Sequence, residues 1–366
     1  MGKGTGNRDT EANNFFFSAW PPRSPCISRA NLEYKRGTRL PILLEPHFHH
    51  TPLAMDPALL CKVFFGLGTA VDLGGTLNPS FRQYIMNYGS RGARPDQSKT
   101  SKKKPSSLFK YIADFQVPHT WFTHYYVVSV ASSVFWGIQI YTRGPAVKLL
   151  ATYSKPASET MTVNQVFLAW LFMAIQGTRR LYESLTLTKP SQSKMWFGLW
   201  LLGIAYYTFM GISVWIEGIC KSTDQSSWSR LTILAAVNQI GPFQSLLDIS
   251  SPSVKTLIAV PIFLLASWIQ HDCHKYLASL KKYTLPDHQL FQFVVCPHYT
   301  SECLVYIAIA TVAAPKGQLL NRTALAGLGF VVSNLAVTAD STRKWYVEKF
   351  GPEKLAGRWR MVPYLY

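Results

Sequence analysis

The sequence predicts an all-α, polytopic membrane protein of about seven transmembrane helices. Three observations carry that expectation. Hydrophobic residues make up 48% of the 366 positions and charged residues only 15%, against about 25% charged in an ordinary soluble domain. The apolar residues gather in long runs. The basic residues, in turn, are unevenly divided among the connections between those runs. This composition excludes a disordered chain, a collagen-like chain and a coiled coil.

A helix needs about 20 mostly apolar residues to cross a bilayer, because each advances about 1.5 Å through a hydrocarbon layer about 30 Å thick. The first run, Pro57–Val71, is short. Val117–Tyr141, Val163–Leu185, Met195–Ile219 and Ser253–His271 follow, and Tyr299–Ala314 and Leu319–Ala339 form a closing pair around Pro315. So many apolar helices are hard to bury in one soluble core.

Residues 1–54 differ from the rest, with Pro21-Pro22, scattered charges and the His47, His49 and His50 group. They lack the order of a signal peptide. The expectation is a disordered or non-native N-terminal extension, followed by a transmembrane domain over 55–366. The histidines beside Pro46 read as a polar loop, with metal binding as the alternative.

The segment Arg91–Lys110 is basic and includes Lys102, Lys103 and Lys104. Positive loops stay cytoplasmic. Placing this one there also puts Arg179–Lys194, Lys275–Lys282 and the C-terminal tail on the cytoplasmic side. The loops around Lys148, Ser226 and Gln318 then face the other way. The predicted topology has the N-terminus outside and the C-terminus in the cytoplasm. The formal charge of +18 is then explained by the anionic membrane surface, and no nucleic-acid partner is expected.

The cysteines, Cys26, Cys61, Cys220, Cys273, Cys296 and Cys303, form no C-x-x-C pair. They read as apolar fillers, with no disulfide and no metal centre expected. No Gly-rich phosphate loop occurs. Asn321-Arg322-Thr323 is a glycosylation triplet too close to a span end to be expected in use.

Polar residues at membrane depth are costly and tend to be functional. Here they cluster at span ends on the predicted cytoplasmic side. Arg179 and Glu183 are four apart and share a helix face, with Arg180 beside them; a snorkelling span end accounts for both arginines too. Gln270 and His274 are one turn apart. His298 and Glu302 are four apart at the start of the sixth run, where a first-turn Glu complementing the helix dipole is the plainer reading. The stretch from Asp114 to Tyr126 is an aromatic belt with His119 and His124. Trp121 and the tyrosines suit interfacial anchoring.

These pieces, in this order, resemble the steroid 5α-reductase family, in its polyprenol/polyprenal reductase branch and a fungal-like form. The resemblance covers about 115–366. It rests on Val117–Tyr126, Arg179–Glu183, Cys273–Lys281, Pro297–Glu302 and the ending Arg358–Tyr366. Each stretch alone is weak, and the ordered set is specific.

The resemblance implies an NADPH-dependent oxidoreductase of the endoplasmic reticulum membrane, its cofactor site facing the cytosol. The implied reaction reduces the α-isoprene double bond of polyprenal or polyprenol, on the route to dolichol for protein glycosylation. By position it assigns Gln270, His274, Lys281, His298, Glu302 and Tyr346 to the cofactor pocket. It makes Arg179, Arg180 and Arg358 candidates for the cofactor phosphates, since guanidinium forks suit phosphate oxygens. The Glu and Tyr that steroid-reducing members use fall near Gln116 and Gly177, where neither type is present. The candidates for polarising the carbonyl are therefore Tyr182 and His124, with Tyr125 and Asp114 behind them.

Rival readings are a steroid or enoyl-thioester reductase of the same fold, and a lipid transporter or membrane scaffold. A transporter tends to show paired repeats and mid-membrane helix breaks; no repeat is visible.

Overall fold

The computed structural model describes residues 55–78, 81, 85–86, 107–155, 161–189, 192–218, 253–281 and 283–366. The expectations for residues 1–54, for 91–106 of the basic loop, for Cys26 and Cys220, and for the loop around Ser226 lie outside them.

The described chain is mainly helical, and each apolar run coincides with a helix. Helix α1 (Pro57–Leu77) starts on Asp56, whose carboxylate accepts from the Ala58 amide at 3.2 Å, with Pro57 at the first helical position. Helix α2 (Ser107–Asp114) precedes strand β1 (Gln116–Pro118) and a 3-10 turn over His119–Trp121. Helix α3 (Phe122–Thr142) stops at Arg143 in the left-handed region, φ 52°. Helix α4 (Pro145–Tyr153) is short. Helix α5 (Val163–Thr186) opens with a capping box between Thr162 and Gln165.

Strand β2 (Lys194–Trp196) leads directly into α6 (Phe197–Ser213), which a 3-10 turn, Ile216–Gly218, prolongs. Helix α7 (Val254–Ser279) is capped by Ser253. The short α8 (Leu290–Phe293) and α9 (Pro297–Val312) follow, then α10 (Arg322–Phe350).

Among the described residues, four helical segments are long and apolar enough to cross a membrane: Pro57–Leu77, Phe197–Gly218, Val254–Ser279 and Arg322–Phe350. Of the other three, α3 (Phe122–Thr142) has 21 residues, α9 has only 16, and α5 carries Arg179, Arg180 and Glu183 within its length.

The all-α expectation needs one correction. β1 and β2 pair antiparallel, Val117 opposite Met195. Both side chains are buried, so this ribbon closes the entrance to α3 and α6 with backbone hydrogen bonds where a helix turn does not fit.

Aromatic pairs hold the core between helices. Phe172 of α5 stacks on Phe263 of α7 at 3.9 Å between centroids, and Phe64 of α1 stacks on Phe209 of α6 at 4.5 Å. At one end, Glu217 accepts from Lys62 at 2.6 Å, from Thr323 Oγ1 at 2.6 Å and from the Arg322 amide at 3.0 Å. This carboxylate ties the starts of α1 and α10 together, so the two helices run parallel. Asn321 is fully buried, with its amide donating to Ala313 and accepting from Ala324, so the glycosylation triplet is inaccessible. The described cysteines, Cys61, Cys273, Cys296 and Cys303, are free thiols.

Candidate active site

At the opposite end from Glu217, three helices bring polar side chains to one point. The last turns of α5 supply Gln176, Arg179, Arg180 and Glu183. The last turns of α7 supply Gln270, His271 and His274. The first turns of α9 supply His298 and Glu302. The i, i+4 spacing within each helix puts each set on one face, and helix packing turns those faces together.

Glu183 is the hub. Its carboxylate is buried and accepts from Arg179 Nη1 at 2.5 Å, from His271 Nδ1 at 2.8 Å and from Arg180 Nη1, and it lies 2.7 Å from His274 Nδ1. Around it lies a second carboxylate. Glu302 accepts from Gln176 Nε2 at 3.1 Å and from Gln270 Nε2. Arg179 Nη2 joins the two groups, donating to Gln176 Oε1 at 2.6 Å and to Gln270 Oε1. Buried charges survive only when paired and hydrogen-bonded, and this network meets that condition.

A cavity of about 220 Å³ opens beside the network. Arg180, Gln270, His274 and Glu302 form its polar wall. Tyr126, Tyr207 and Tyr306 add hydroxyl groups, and Phe122, Leu202 and Phe330 make the rest apolar. Arg180 Nη2 donates to the Tyr126 hydroxyl at 2.7 Å, and its guanidinium also lies 4.8 Å from that ring's centroid. Because the arginine is the donor, the phenol keeps its own proton for another acceptor. His274 Nδ1 lies between Glu183, at 2.7 Å, and Arg180 Nη1, at 2.9 Å, so this ring nitrogen is taken up inside the network.

The structure brings together Arg179, Arg180, Gln270, His274, His298 and Glu302 of the residues singled out from sequence. His298 lies behind the wall, its ring 5.5 Å from that of His274 and its Nδ1 buried without a partner among the described residues. The others lie elsewhere. Lys281 is exposed just past the end of α7. Tyr346 packs with Cys296, Leu355 and Met361 in a separate apolar cluster under the C-terminal tail. Arg358 donates to the carbonyls of Pro286 and Phe291 and to Asp287, fastening the tail to the segment before α8.

The two catalytic candidates need correction, since neither lines the cavity. Tyr182 is 58% exposed, because it sits one position before Glu183 and therefore about 100° round the helix from it. His124 is exposed and leans on Trp121 and Trp200. The residue that sequence reasoning passed over is Tyr126, two positions on from His124 and facing inward. Its sequence signals were its place in the aromatic belt, which also suits anchoring, and its position closing the Val117–Tyr126 stretch. Gln176 was likewise noted only as a neighbour of the arginines.

The chain is similar to proteins already known. The family model described as 3-oxo-5-alpha-steroid 4-dehydrogenase matches residues 239–366. Over that stretch the chain resembles a domain of this family. Proteins named polyprenal reductase are similar over most of their length. That of Saccharomyces cerevisiae is 27% identical, covering 78% of this chain and 86% of its own. Polyprenal reductase 1 of Arabidopsis thaliana is 27% identical over 78% and 89%, and the Xenopus laevis protein 25% over 81% and 90%. The domain takes in α7 to α10 and hence Gln270, His274, His298 and Glu302. The α5 contribution to the network comes from outside it.

Proposed function

We propose that the protein is an NADPH-dependent polyprenal reductase, saturating the α-isoprene double bond of a polyprenyl aldehyde within the endoplasmic reticulum membrane. The observation that carries this reading is the meeting of a hydrogen-bonding wall with an apolar, tyrosine-bearing cavity at one end of a bundle of apolar helices. A polyprenyl chain is too apolar to leave the bilayer, and a dinucleotide is too polar to enter it. A reaction between the two belongs where polar span ends meet an apolar cavity. All seven runs act as spans in this reading, with the network facing the cytosol and the N-terminus on the other side.

The residues present fit a nicotinamide cofactor. A carboxamide needs both donors and acceptors, and Gln270 and Glu302, hydrogen-bonded to each other on the cavity wall, carry both types. Behind that wall, His298 Nδ1 is buried without a partner among the described residues. Arg179 and Arg180 add positive charge at the edge of the wall. When bound, NADPH supplies the hydride that is added at the β carbon.

The chain's own residues then manage the oxygen and the proton. As hydride reaches the β carbon, negative charge moves onto the carbonyl oxygen. A donor already aimed at that oxygen lowers the barrier. Tyr126 is that donor in this proposal: its oxygen is held by Arg180, and its O–H is unclaimed by that contact. The proton that completes the saturation at the α carbon follows from the same side. The apolar remainder of the cavity excludes water.

The direct test incubates purified protein in detergent or vesicles with polyprenal and NADPH, and follows a product two hydrogens heavier by mass spectrometry. NADPH consumption should match product formed. Tyr126→Phe should lower kcat by roughly a hundredfold with little change in the KM for NADPH. Glu302→Ala should raise that KM instead. Absence of reduced product from active-site-intact protein would sink the reading.

A further inference from the structure

Helices α9 and α10 form a hairpin whose own turn pins one end. There the backbone N–H of Asn321 donates to the Ala310 carbonyl at 2.8 Å, and the Asn321 side chain donates to the Ala313 carbonyl at 3.0 Å. At the other end both helices line the active-site cavity, α9 with Tyr299 and Glu302, α10 with Thr338 and Ser341. The spacing of those two walls is set by whatever crosses the open end of the hairpin.

What crosses it is the tail. Val294 pairs with Trp359 in a parallel bridge, and the Val295 N–H donates to the Trp359 carbonyl at 2.8 Å. The Cys296 N–H donates to the Arg360 carbonyl at 3.1 Å. Cys296 caps the start of α9, so this contact fixes where the helix begins. Thr300 Oγ1, in the first turns of α9, donates to the Met361 carbonyl at 2.5 Å. The side chain of Arg360 goes the other way, to α10. Its Nε donates to Asp340 Oδ1 at 2.8 Å, and its guanidinium lies 5.1 Å from the centroid of the Tyr366 ring. The Tyr366 hydroxyl in turn donates to the Ala336 carbonyl of α10 at 3.2 Å. Asp340 stands between Thr338 and Ser341 in the chain, and its side chain is 13% exposed.

One residue thus holds α9 by its backbone and α10 by its side chain. Val295, Cys296, Ala339, Leu355 and Met361 form an apolar cluster around the same junction. Apolar packing is non-directional, whereas a charged hydrogen bond fixes distance and orientation. A partly exposed ion pair contributes little to stability, so holding the fold together is a poor account of this one.

We infer that Arg360 and Asp340 are a positioning pair: by tying the start of α9 to α10 they set the width of the cavity between Glu302 and the Thr338–Ser341 wall, and with it the fit of the cofactor. That last step rests on the reading that Gln270 and Glu302 hold the nicotinamide. Neither member of the pair lines the cavity, so both act through the helices that do. Tyr126 belongs to α3, outside the tether, so the chemical step on bound cofactor is left alone.

The test measures NADPH binding to the purified full chain in detergent, by the change in cofactor fluorescence, beside turnover with polyprenal. Arg360→Ala should raise the Kd for NADPH about tenfold, the size of one lost charged hydrogen bond, and leave kcat within about twofold. Asp340→Asn keeps the shape of the side chain and should raise the Kd about fivefold. It carries the test if Arg360→Ala yields no folded protein. The double variant should bind no worse than Arg360→Ala alone, because both substitutions remove one contact. Lys344→Ala breaks the other ion pair of the same carboxylate, 2.8 Å from Asp340 Oδ2, and should bind as wild type does. Additive losses in the double variant, or an equal loss in Lys344→Ala, would overturn the inference. So would a lowered unfolding midpoint with an unchanged Kd, which marks a tether that serves stability alone.

A second measurement needs no cofactor. Hydrogen exchange read by mass spectrometry should show the stretch 294–302 exchanging faster in Arg360→Ala than in wild type, with the turn at 313–321 unchanged. Equal exchange at 294–302 overturns the inference. Should wild type bind no NADPH, the proposed cofactor falls, and the exchange difference still decides whether the pair holds α9.

Discussion

Glu183 shows how much one side chain can organise. Two guanidinium groups and two imidazoles converge on a carboxylate that is almost wholly buried. Removing its charge leaves two guanidinium groups and two histidines facing one another at low dielectric. Glu183→Gln should therefore destabilise the folded protein by about 3 kcal/mol or more, read as a drop in the unfolding midpoint of the detergent-solubilised protein. Glu183→Asp, which keeps the charge on a shorter arm, should cost less. Tyr126 makes a contrasting case: its loss should be felt in kcat and hardly in stability, because Phe preserves the ring against Arg180 while deleting only the hydroxyl. The pair Arg179 and Arg180 was visible in the sequence as charge at a span end. That both guanidiniums turn inward to Glu183, rather than outward to water as in snorkelling, was set by His271 and His274 arriving from α7.

At the scale of elements, the cavity depends on close approach between α3 and α6. A Cβ on Gly203 would stand 2.6 Å from the Tyr125 ring, and both residues line the cavity. Gly203→Ala should push that ring into the space meant for the substrate, costing about 1–3 kcal/mol in stability and lowering activity together. Gly74→Ala is the matched control. Nothing lies within 4 Å of a Cβ there, so added helix propensity should leave the protein as stable or slightly more so. Comparing the two melting curves checks both. The elements themselves were largely readable from composition: each apolar run became a helix, and Thr162, Ser253 and Asn321 sit as caps at three starts. The β1–β2 ribbon was not readable, because its two three-residue strands are 78 positions apart (116 against 194) and neither has length enough to show alternation.

Across the whole molecule, the two ends of the bundle do different work. One end is clamped by Glu217 between α1 and α10, and the other carries the charged network and the cavity. Glu217→Ala should weaken the clamp by about 1–2 kcal/mol without altering either KM, since the clamp and cavity share no residue. The proposed topology makes a separate prediction. In sealed microsomes, a tag fused after Tyr366 should be cut by added protease without detergent, whereas cysteines placed at the Gln318 turn should label only after the membrane is opened. Labelling with the opposite sidedness would reverse the orientation and move the network to the lumen.

The sequence alone determined the apolar helices, their order, the polar span ends and the family resemblance, because hydropathy and short motifs are properties of neighbouring residues. Only the tertiary structure decided which polar groups meet. Gln176, Gln270 and Glu302 come from three separate helices, and local spacing carries no information about how those helices pack. The same limit explains why Tyr182 and His124 lie outside the cavity. One residue along a helix turns a side chain by about 100°. A motif therefore located the right turn of helix, while packing alone chose Tyr126 and Glu183 as the faces that look inward.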